Sequence, residues 1–334
     1  MKIIIPMAGR GSRLRPHTLT VPKPLVPIAG KPMVQILVED LTKSLEEKVD
    51  EIAFITGDFG DDVDRQLVKI AENLGAKGSV YKQDQPLGTA HAILCAEDSM
   101  KGKCMIAFSD TLFKANFTFN SEEDGIIWAQ KVEDPSAFGV LKTDENNVIT
   151  DFVEKPKDFV SDLAIVGIYY VKDGDNLRKE LRYLLDNKIM DRGEYQLTDA
   201  LENMKQKGIK FKVGKIDEWL DCGNKDAVVY TNQRILEIKN SNSEKAENLE
   251  SVNSVVIQPC FIGKNVKLVN SVIGPHVSIG DNSTVQNSVI NNTVIQSDTS
   301  VNAANLENSM IGNKVEYDGR KSEISIGDFS TYKV

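Results

Sequence analysis

The sequence predicts an α/β fold in two parts. The first is a Rossmann-like, mixed but mainly parallel sheet with helices on both faces; the second is a C-terminal left-handed parallel β-helix. Three observations carry this. Short apolar runs and stretches of helical period alternate from Ile3 to Phe108 at intervals of about 25 residues, the rhythm of βα units. From about residue 125, strand-like runs follow one another with little helix between them. Past residue 250 the period becomes six, with Gly, Asn and Ser between aliphatic residues.

The elements follow in order. Ile3-Ile4-Ile5 is a buried strand. Residues 32–45 start at Pro32 and carry Val34, Leu37, Val38, Leu41 and Leu45 on one helical face. Strands are expected at 51–56, 79–82 and 103–108, with helices at 61–74 and 88–97 between them. The last of these strands ends at Ser109-Asp110. Strands at 126–131, 139–142, 148–154 and 164–171 suggest a mixed-sheet lobe. Helices return at 176–186 and 195–207, then a strand at 209–213, a turn at 219–223 and a closing helix at 225–239. Residues 1–239 form the first domain, the polar stretch 240–250 a linker, and 251–334 the β-helix. In the β-helix, Ile262 and Leu268 are six apart, as are Ile273, Ile279 and Val285, and Val289, Ile295 and Val301. Each hexad makes one face of a triangular coil, with about four coils in all.

Composition narrows the class. With 334 residues, 41% hydrophobic and 27% charged, the chain has ample material for a core. No apolar run reaches the roughly 20 residues needed to cross a bilayer, and the N-terminal run is too short for a signal peptide. Cys95, Cys104, Cys222 and Cys260 fit no metal-ligand spacing. A reduced, cytoplasmic protein is expected. The net charge of -9 argues against coating nucleic acid.

One stretch departs from that acidity. Before Glu39 there is no carboxylate, while Lys2, Arg10, Arg13, Arg15, Lys23 and Lys31 are all cationic. Three of them lie in Met7-Ala8-Gly9-Arg10-Gly11-Ser12-Arg13, which follows the first strand, and in Pro22-Lys23-Pro24-Leu25 beyond it. Glycines that admit a ligand, cations and stiffening prolines after a first strand suit a triphosphate. The third glycine of the dinucleotide fingerprint and the spacing of the P-loop are both absent. Asp110, at the end of an apolar strand, and Asp221, in Trp219-Leu220-Asp221-Cys222-Gly223, together with phosphate oxygens make an adequate Mg²⁺ site. Small and polar residues at Phe138-Gly139-Val140, Glu154-Lys155-Pro156, Val166-Gly167 and Gly193-Glu194 suit a sugar and its phosphate.

Taken in order, these segments resemble the sugar-1-phosphate nucleotidyltransferases over about residues 1–235. The resemblance rests on Gly9-x-Gly11-x-Arg13-Leu14, Pro22-Lys23-Pro24-Leu25, Pro86-Leu87-Gly88-Thr89-Ala90, Glu154-Lys155-Pro156, Gly193-Glu194-Tyr195-Gln196-Leu197-Thr198-Asp199 and Trp219-x-Asp221-x-Gly223. Ser109 stands where the family usually has Gly, and Cys222 where it has a small residue such as Thr or Val. Within the family the likeness points to long-form glucose-1-phosphate thymidylyltransferases.

The resemblance implies a reaction of a nucleoside triphosphate with a sugar 1-phosphate, dTTP or UTP with glucose 1-phosphate being expected. It implies that Arg13 and Lys23 act on the phosphates, and that Met7, Ala8, Gly9, Gly11, Gln83, Gly88 and Thr89 hold the nucleotide. Gly139, Glu154, Lys155, Val166 and Glu194 would hold the sugar phosphate, and Asp110 and Asp221 the Mg²⁺. Gln83 would read the base, its carbonyl accepting from N3–H and its NH₂ donating to O4 of thymine or uracil. A homo-oligomer is expected, with neither nucleic acid nor membrane as partner. Three alternatives stay open: a UTP- or GTP-dependent relative, a non-catalytic regulatory homologue, and a bifunctional acyltransferase. For the last, the tail offers only His276.

Overall fold

The computed structural model describes residues 1–114, 120–239 and 247–319. Its first half runs β1 (Lys2–Pro6), α1 (Met33–Ser44), β2 (Glu51–Thr56), α2 (Asp61–Asn73), β3 (Lys77–Lys82), α3 (Thr89–Leu94) and β4 (Cys104–Ala107). The four strands are parallel in the order β3–β2–β1–β4, with Ile3 facing Ile52 on one side and Met105 on the other. Ile3, Ile4, Ile5, Ile52, Phe54 and Ile106 are fully buried, as expected of strands covered on both faces. The chain therefore leaves β1 in one direction and returns to its other side at β4. Such a reversal opens a crevice beyond the carboxyl ends of the two strands, the usual ligand position in open α/β sheets.

The second half adds β5 (Thr111–Lys114), β6 (Gly125–Lys131), β7 (Gly139–Thr143), β8 (Ile149–Glu154), β9 (Leu163–Val171), α4 (Gly174–Asp186), α5 (Leu197–Gln206), β10 (Phe211–Lys215), β11 (Glu218–Asp221) and α6 (Lys225–Ile238). Most of these strands extend the first sheet instead of forming a separate lobe. The long β9 pairs antiparallel with β4 through Ile168–Val171 and with β6 along its other edge, giving a sheet of nine strands among the described residues. The turn expected at 219–223 needs correction. Glu218–Asp221 is a strand, antiparallel to β5, in which Asp221 faces Thr111, and the chain bends only after it, at Gly223-Asn224. Its hydrogen-bonding partner lies more than a hundred residues upstream, so no local pattern announces it.

The compact units divide inside α6. Met1–Val26 with Lys31–Ala227 form one, and Pro27–Gly30 with Val228–Val334 the other. This division lies upstream of the linker expected at 240–250, of which 240–246 falls outside the described residues. In the second unit, parallel strands stack on three faces, and the coil repeats after 17 residues at first and after 16 later (Ser251, Leu268, Val285, Val301, Tyr317 in register). Its core holds Leu268, Ile273, Ile279, Val285, Ile290, Ile295 and Val301, all essentially inaccessible. The expected six-residue series fails at Val289, which is 52% exposed; Ile290 is the stacked residue, and the steps from Leu268 to Ile273, Val285 to Ile290 and Ile290 to Ile295 are five residues. A coil shorter than 18 residues must drop a residue at some corners, and the hexad count does not show which. Asparagines take the left-handed corners, among them Asn253, Asn265, Asn270, Asn282 and Asn287, a conformation their short side chains tolerate. Their amides form ladders from coil to coil, as from Asn253 to Asn270 at 3.0 Å and from Asn270 to Asn287 at 3.2 Å. Residues 320–334 of the expected β-helix lie outside the described residues.

One side chain joins α6 to these coils. Asn232 is fully buried; its Oδ1 accepts from Ala29 N–H at 2.9 Å and from Ser278 Oγ at 2.7 Å, and its Nδ2 donates to the His276 carbonyl at 3.3 Å. His276 itself is turned toward Glu237, with Nε2 to Oε1 at 3.0 Å. Asn232→Leu keeps the number and branching of side-chain heavy atoms but strands two donors and one acceptor. Equilibrium urea unfolding should show a loss of at least about 2 kcal/mol, the scale for unsatisfied buried groups. A change under about 0.5 kcal/mol would mean that Asn232 does not hold this junction.

Candidate functional site

A cleft of about 380 Å³ opens at the carboxyl ends of β1 and β4. Met7, Ala8, Gly9, Gly11, Arg13, Lys23, Gln83, Gly88, Thr89, Asp110 and Glu194 all line it. Asp221, Gly139, Glu154, Lys155 and Val166 do not, although Gly223, next to the Asp221 turn, does.

The loop after β1 is built to aim Lys23. Ser12–Leu14 and Lys23–Leu25 are single 3-10 turns, the second holding Pro24. Leu25 and Val26 are buried behind it and the turn packs against α1, so the Lys23 backbone is anchored in the core. Gly11 has φ +60, and a Cβ there would stand 2.7 Å from Lys23 Cβ; glycine is what lets the two turns meet. Thr18 Oγ1 donates to the Gly11 carbonyl at 2.8 Å and closes the loop. Lys23, only 8% exposed, extends to Asp110, Nζ to Oδ2 at 2.7 Å. The cation block is thus partly compensated, since Lys31 also pairs with Glu39 at 2.8 Å. Arg10, Arg13 and Arg15 are exposed and form no ion pair among the described residues.

The two acids are joined through the backbone. Asp110 directly precedes β5, Asp221 ends β11, and Cys222 N–H donates to the Asp110 carbonyl at 3.0 Å. Burial pushes the Asp221 carboxyl above its usual range. The Gly223 N–H bond at 3.0 Å opposes this, Asp110 adds like-charge repulsion, and Lys23 and Arg13 pull the other way.

On another wall, Gln83 follows β3, its N–H donating to the Thr56 carbonyl at 2.8 Å. Its side-chain Nε2 lies 3.0 Å from His91 Nδ1 and 3.4 Å from the Gly88 carbonyl. With Nε2 placed between these two groups, Oε1 is the end of the amide left toward a ligand, an arrangement that differs from the expected donation of NH₂ to O4 of a pyrimidine. Gly88 has φ +109, and a Cβ there would meet the Tyr195 carbonyl at 2.4 Å. This close approach lets Tyr195 N–H donate to Leu87 and Ala90 N–H donate to Tyr195.

The segment 194–198 links the cleft to the residues outside it. Thr89 Oγ1 accepts from Leu197 N–H at 2.9 Å and donates to Gln196 Oε1 at 3.2 Å, while Gln196 Nε2 donates to Glu194 at 3.3 Å. Thr198 Oγ1 donates to Glu154 Oε2 at 3.4 Å. Lys155 Nζ is 3.7 Å from Glu154, and the Lys155 carbonyl, at a left-handed residue, accepts from Arg192 at 2.7 Å. The Val166 side chain is buried and its carbonyl accepts from Thr111 Oγ1 at 2.9 Å, so it faces the core beside Asp110. Sequence reasoning missed His91, Thr18 and Gln196 as site-building residues. Gln196 lies inside the Gly193-Glu194-Tyr195-Gln196-Leu197-Thr198-Asp199 motif, whereas His91 carries no signal beyond following Thr89 by two positions.

Gly88→Ala should destabilise the protein by more than about 2 kcal/mol, because both φ and space forbid a side chain there. Gly9→Ala, whose Cβ meets nothing within 4 Å, should change stability by less than about 0.5 kcal/mol. Equal effects in urea unfolding would contradict this geometry.

The family model described as Nucleotidyl transferase matches residues 2–238. The chain is 31% identical over 252 residues to the low-salt glycan biosynthesis nucleotidyltransferase Agl11 of Haloferax volcanii, covering 72% of this chain and 67% of that protein. It is 32% identical over 263 residues to the bifunctional protein GlmU of Methanococcus maripaludis, covering 77% of this chain and 60% of that one. Thus the match spans roughly three fifths to two thirds of these curated relatives' length. Among solved structures, a protein from Bacillus anthracis designated a glucose-1-phosphate thymidylyltransferase, in complex with a sucrose, superposes with a TM-score of 0.60 at 25% identity, over 73% of this chain and 97% of its own. With the family model covering most of its length, the chain belongs to the nucleotidyl transferase family.

Proposed function

We propose that the chain transfers a nucleotidyl group from a nucleoside triphosphate to a sugar 1-phosphate, releasing pyrophosphate. The observation that carries the reading is the convergence of Arg13, Lys23 and Asp110 on one cleft, with Asp221 paired behind it and Gln83 on another wall. An oxygen of the sugar phosphate attacks the α-phosphorus in line; the new P–O bond forms as the bond to the β-phosphate bridging oxygen breaks. A phosphate monoester is already ionised near neutral pH, so no general base is needed. Positioning and charge neutralisation do the catalysis. In this reading Lys23 meets the α-phosphate and Arg13 the departing phosphates. In the same reading Thr89 helps to hold the nucleotide and Glu194 the sugar phosphate, with Glu154 and Lys155 beyond Glu194.

The acid pair suits Mg²⁺. Two carboxylates at adjacent strand ends give hard oxygen donors, and their mutual repulsion is what a cation would relieve. Among the described residues no group of three or more candidate ligands gathers, so Asp110 and Asp221 would leave coordination positions for phosphate oxygens. When bound, the ion would screen the triphosphate charge.

For the finer specificity we propose dTTP or UTP with glucose 1-phosphate. Gln83 Oε1 suits a base with N3–H, and guanine N1–H would meet the same acceptor. The preference for a pyrimidine therefore rests on the sequence resemblance and on the designation of the Bacillus anthracis structure. Pyrophosphate release measured across dTTP, UTP, GTP, CTP and ATP, each with several sugar 1-phosphates, tests this. The expected leaders are dTTP or UTP with glucose 1-phosphate, and a dominant GTP reaction would overturn the base assignment. Asp110→Asn and Asp221→Asn should each raise the Mg²⁺ requirement and lower turnover, because an amide is a poorer ligand for a hard cation. Full activity in excess chelator would remove the metal from the mechanism.

A further inference from the structure

The Gln83 amide has a partner, His91, that does not line the cleft. Its Nε2 lies 3.0 Å from His91 Nδ1 and 3.4 Å from the Gly88 carbonyl oxygen. A carbonyl only accepts, so the amide end turned that way is the NH₂, and its other hydrogen points at Nδ1. Nδ1 must then be unprotonated, with the ring proton on Nε2. Burial pushes the His91 imidazole below its ordinary value, which favours that neutral ring. Gln83 and Gly88 line the cleft, whereas His91 does not. The His91 turn is itself held, since Ala90 N–H donates to the Tyr195 carbonyl at 2.9 Å and Cys95 N–H to the His91 carbonyl at 3.1 Å.

We propose that His91 is a positioning residue for base selection: by accepting from Gln83 Nε2 it fixes the amide with Oε1 as the end offered to the nucleotide. The inference rests on the reading that Gln83 meets the base. An acceptor at that point favours bases with an N–H at the centre of the pairing edge, N3–H of thymine and uracil or N1–H of guanine. Cytosine N3 and adenine N1 would face it lone pair to lone pair. Without His91, only the 3.4 Å contact to Gly88 opposes a half-turn of the amide. The turned amide presents NH₂, and the bar against cytosine and adenine falls.

The test is the ratio of kcat/KM for UTP to that for CTP, with glucose 1-phosphate, in the full chain. His91→Leu should lower this ratio by about tenfold or more, since selectivity of this kind depends on a correctly oriented polar partner. His91→Asn, whose Oδ1 sits as many bonds from Cα as Nδ1 does, should restore the ratio to within about threefold of wild type. An unchanged ratio in His91→Leu overturns the proposal, whatever the overall rate. Gln83→Ala separates the two layers. If it leaves the ratio unchanged, the base reading itself fails; if it collapses the ratio while His91→Leu does not, only the role of His91 fails. Should His91→Leu not fold, ¹⁵N chemical shifts of His91 in the unaltered protein decide, for a neutral ring protonated on Nδ1 excludes the proposed bond.

Discussion

The site depends on one ion pair, Lys23 Nζ to Asp110 Oδ2 at 2.7 Å. A lysine this deeply buried must have a counter-charge, and leaving it alone would cost several kcal/mol. Asp110 supplies that charge from 87 residues away in sequence. Much of the surrounding local structure can be traced to keeping the two in register. Gly11 clears space beside the Lys23 stem, Pro22 and Pro24 fix its turn, and β4 delivers Asp110 at the end of a buried strand. If the chain binds a triphosphate as proposed, the ligand would meet both members, and a pair that neutralises itself in the free protein would then be shared with it.

The sheet explains why these groups meet. The chain starts at β1, builds outward to β3 and returns to β4 on the far side of β1. The loops after β1 and β4 thereby share one crevice, and β3 carries Gln83 to the same end of the sheet. The second half of the first unit supplies what the parallel strands lack. Strand β11 pairs with β5 to bring Asp221 beside Asp110, and the segment 194–198 ties α3 to the region of Glu154 through Thr89, Gln196 and Thr198.

Much of this was legible in the sequence, for physical reasons. Buried parallel strands are continuous apolar runs, so Ile3–Ile5 and 51–56 stood out. A cluster of cations without carboxylates is visible at any fold, and glycines with proline neighbours marked the loop that carries it. Hexads announced the β-helix because each inward aliphatic repeats on every face. What escaped was non-local. The β5–β11 pairing made a strand of an expected turn, and the 17- and 16-residue coils put Ile290 inside in place of Val289. Asn232 and His91 carry no pattern at all, because their importance lies in single hydrogen bonds to distant or looping partners. The orientation of the Gln83 amide was likewise invisible, being set by neighbours and not by its own identity.

The most direct test of the central claim is a double-mutant cycle on Lys23 and Asp110, read as kcat/KM for pyrophosphate release. Lys23→Ala and Asp110→Asn should each lower it by about a hundredfold or more, the scale for losing a preorganised charge partner. The double variant should be worse than the poorer single by only about a few-fold, because residues that act as a unit are not additive. Losses that multiply, or a Lys23→Ala variant near wild-type turnover, would contradict the account.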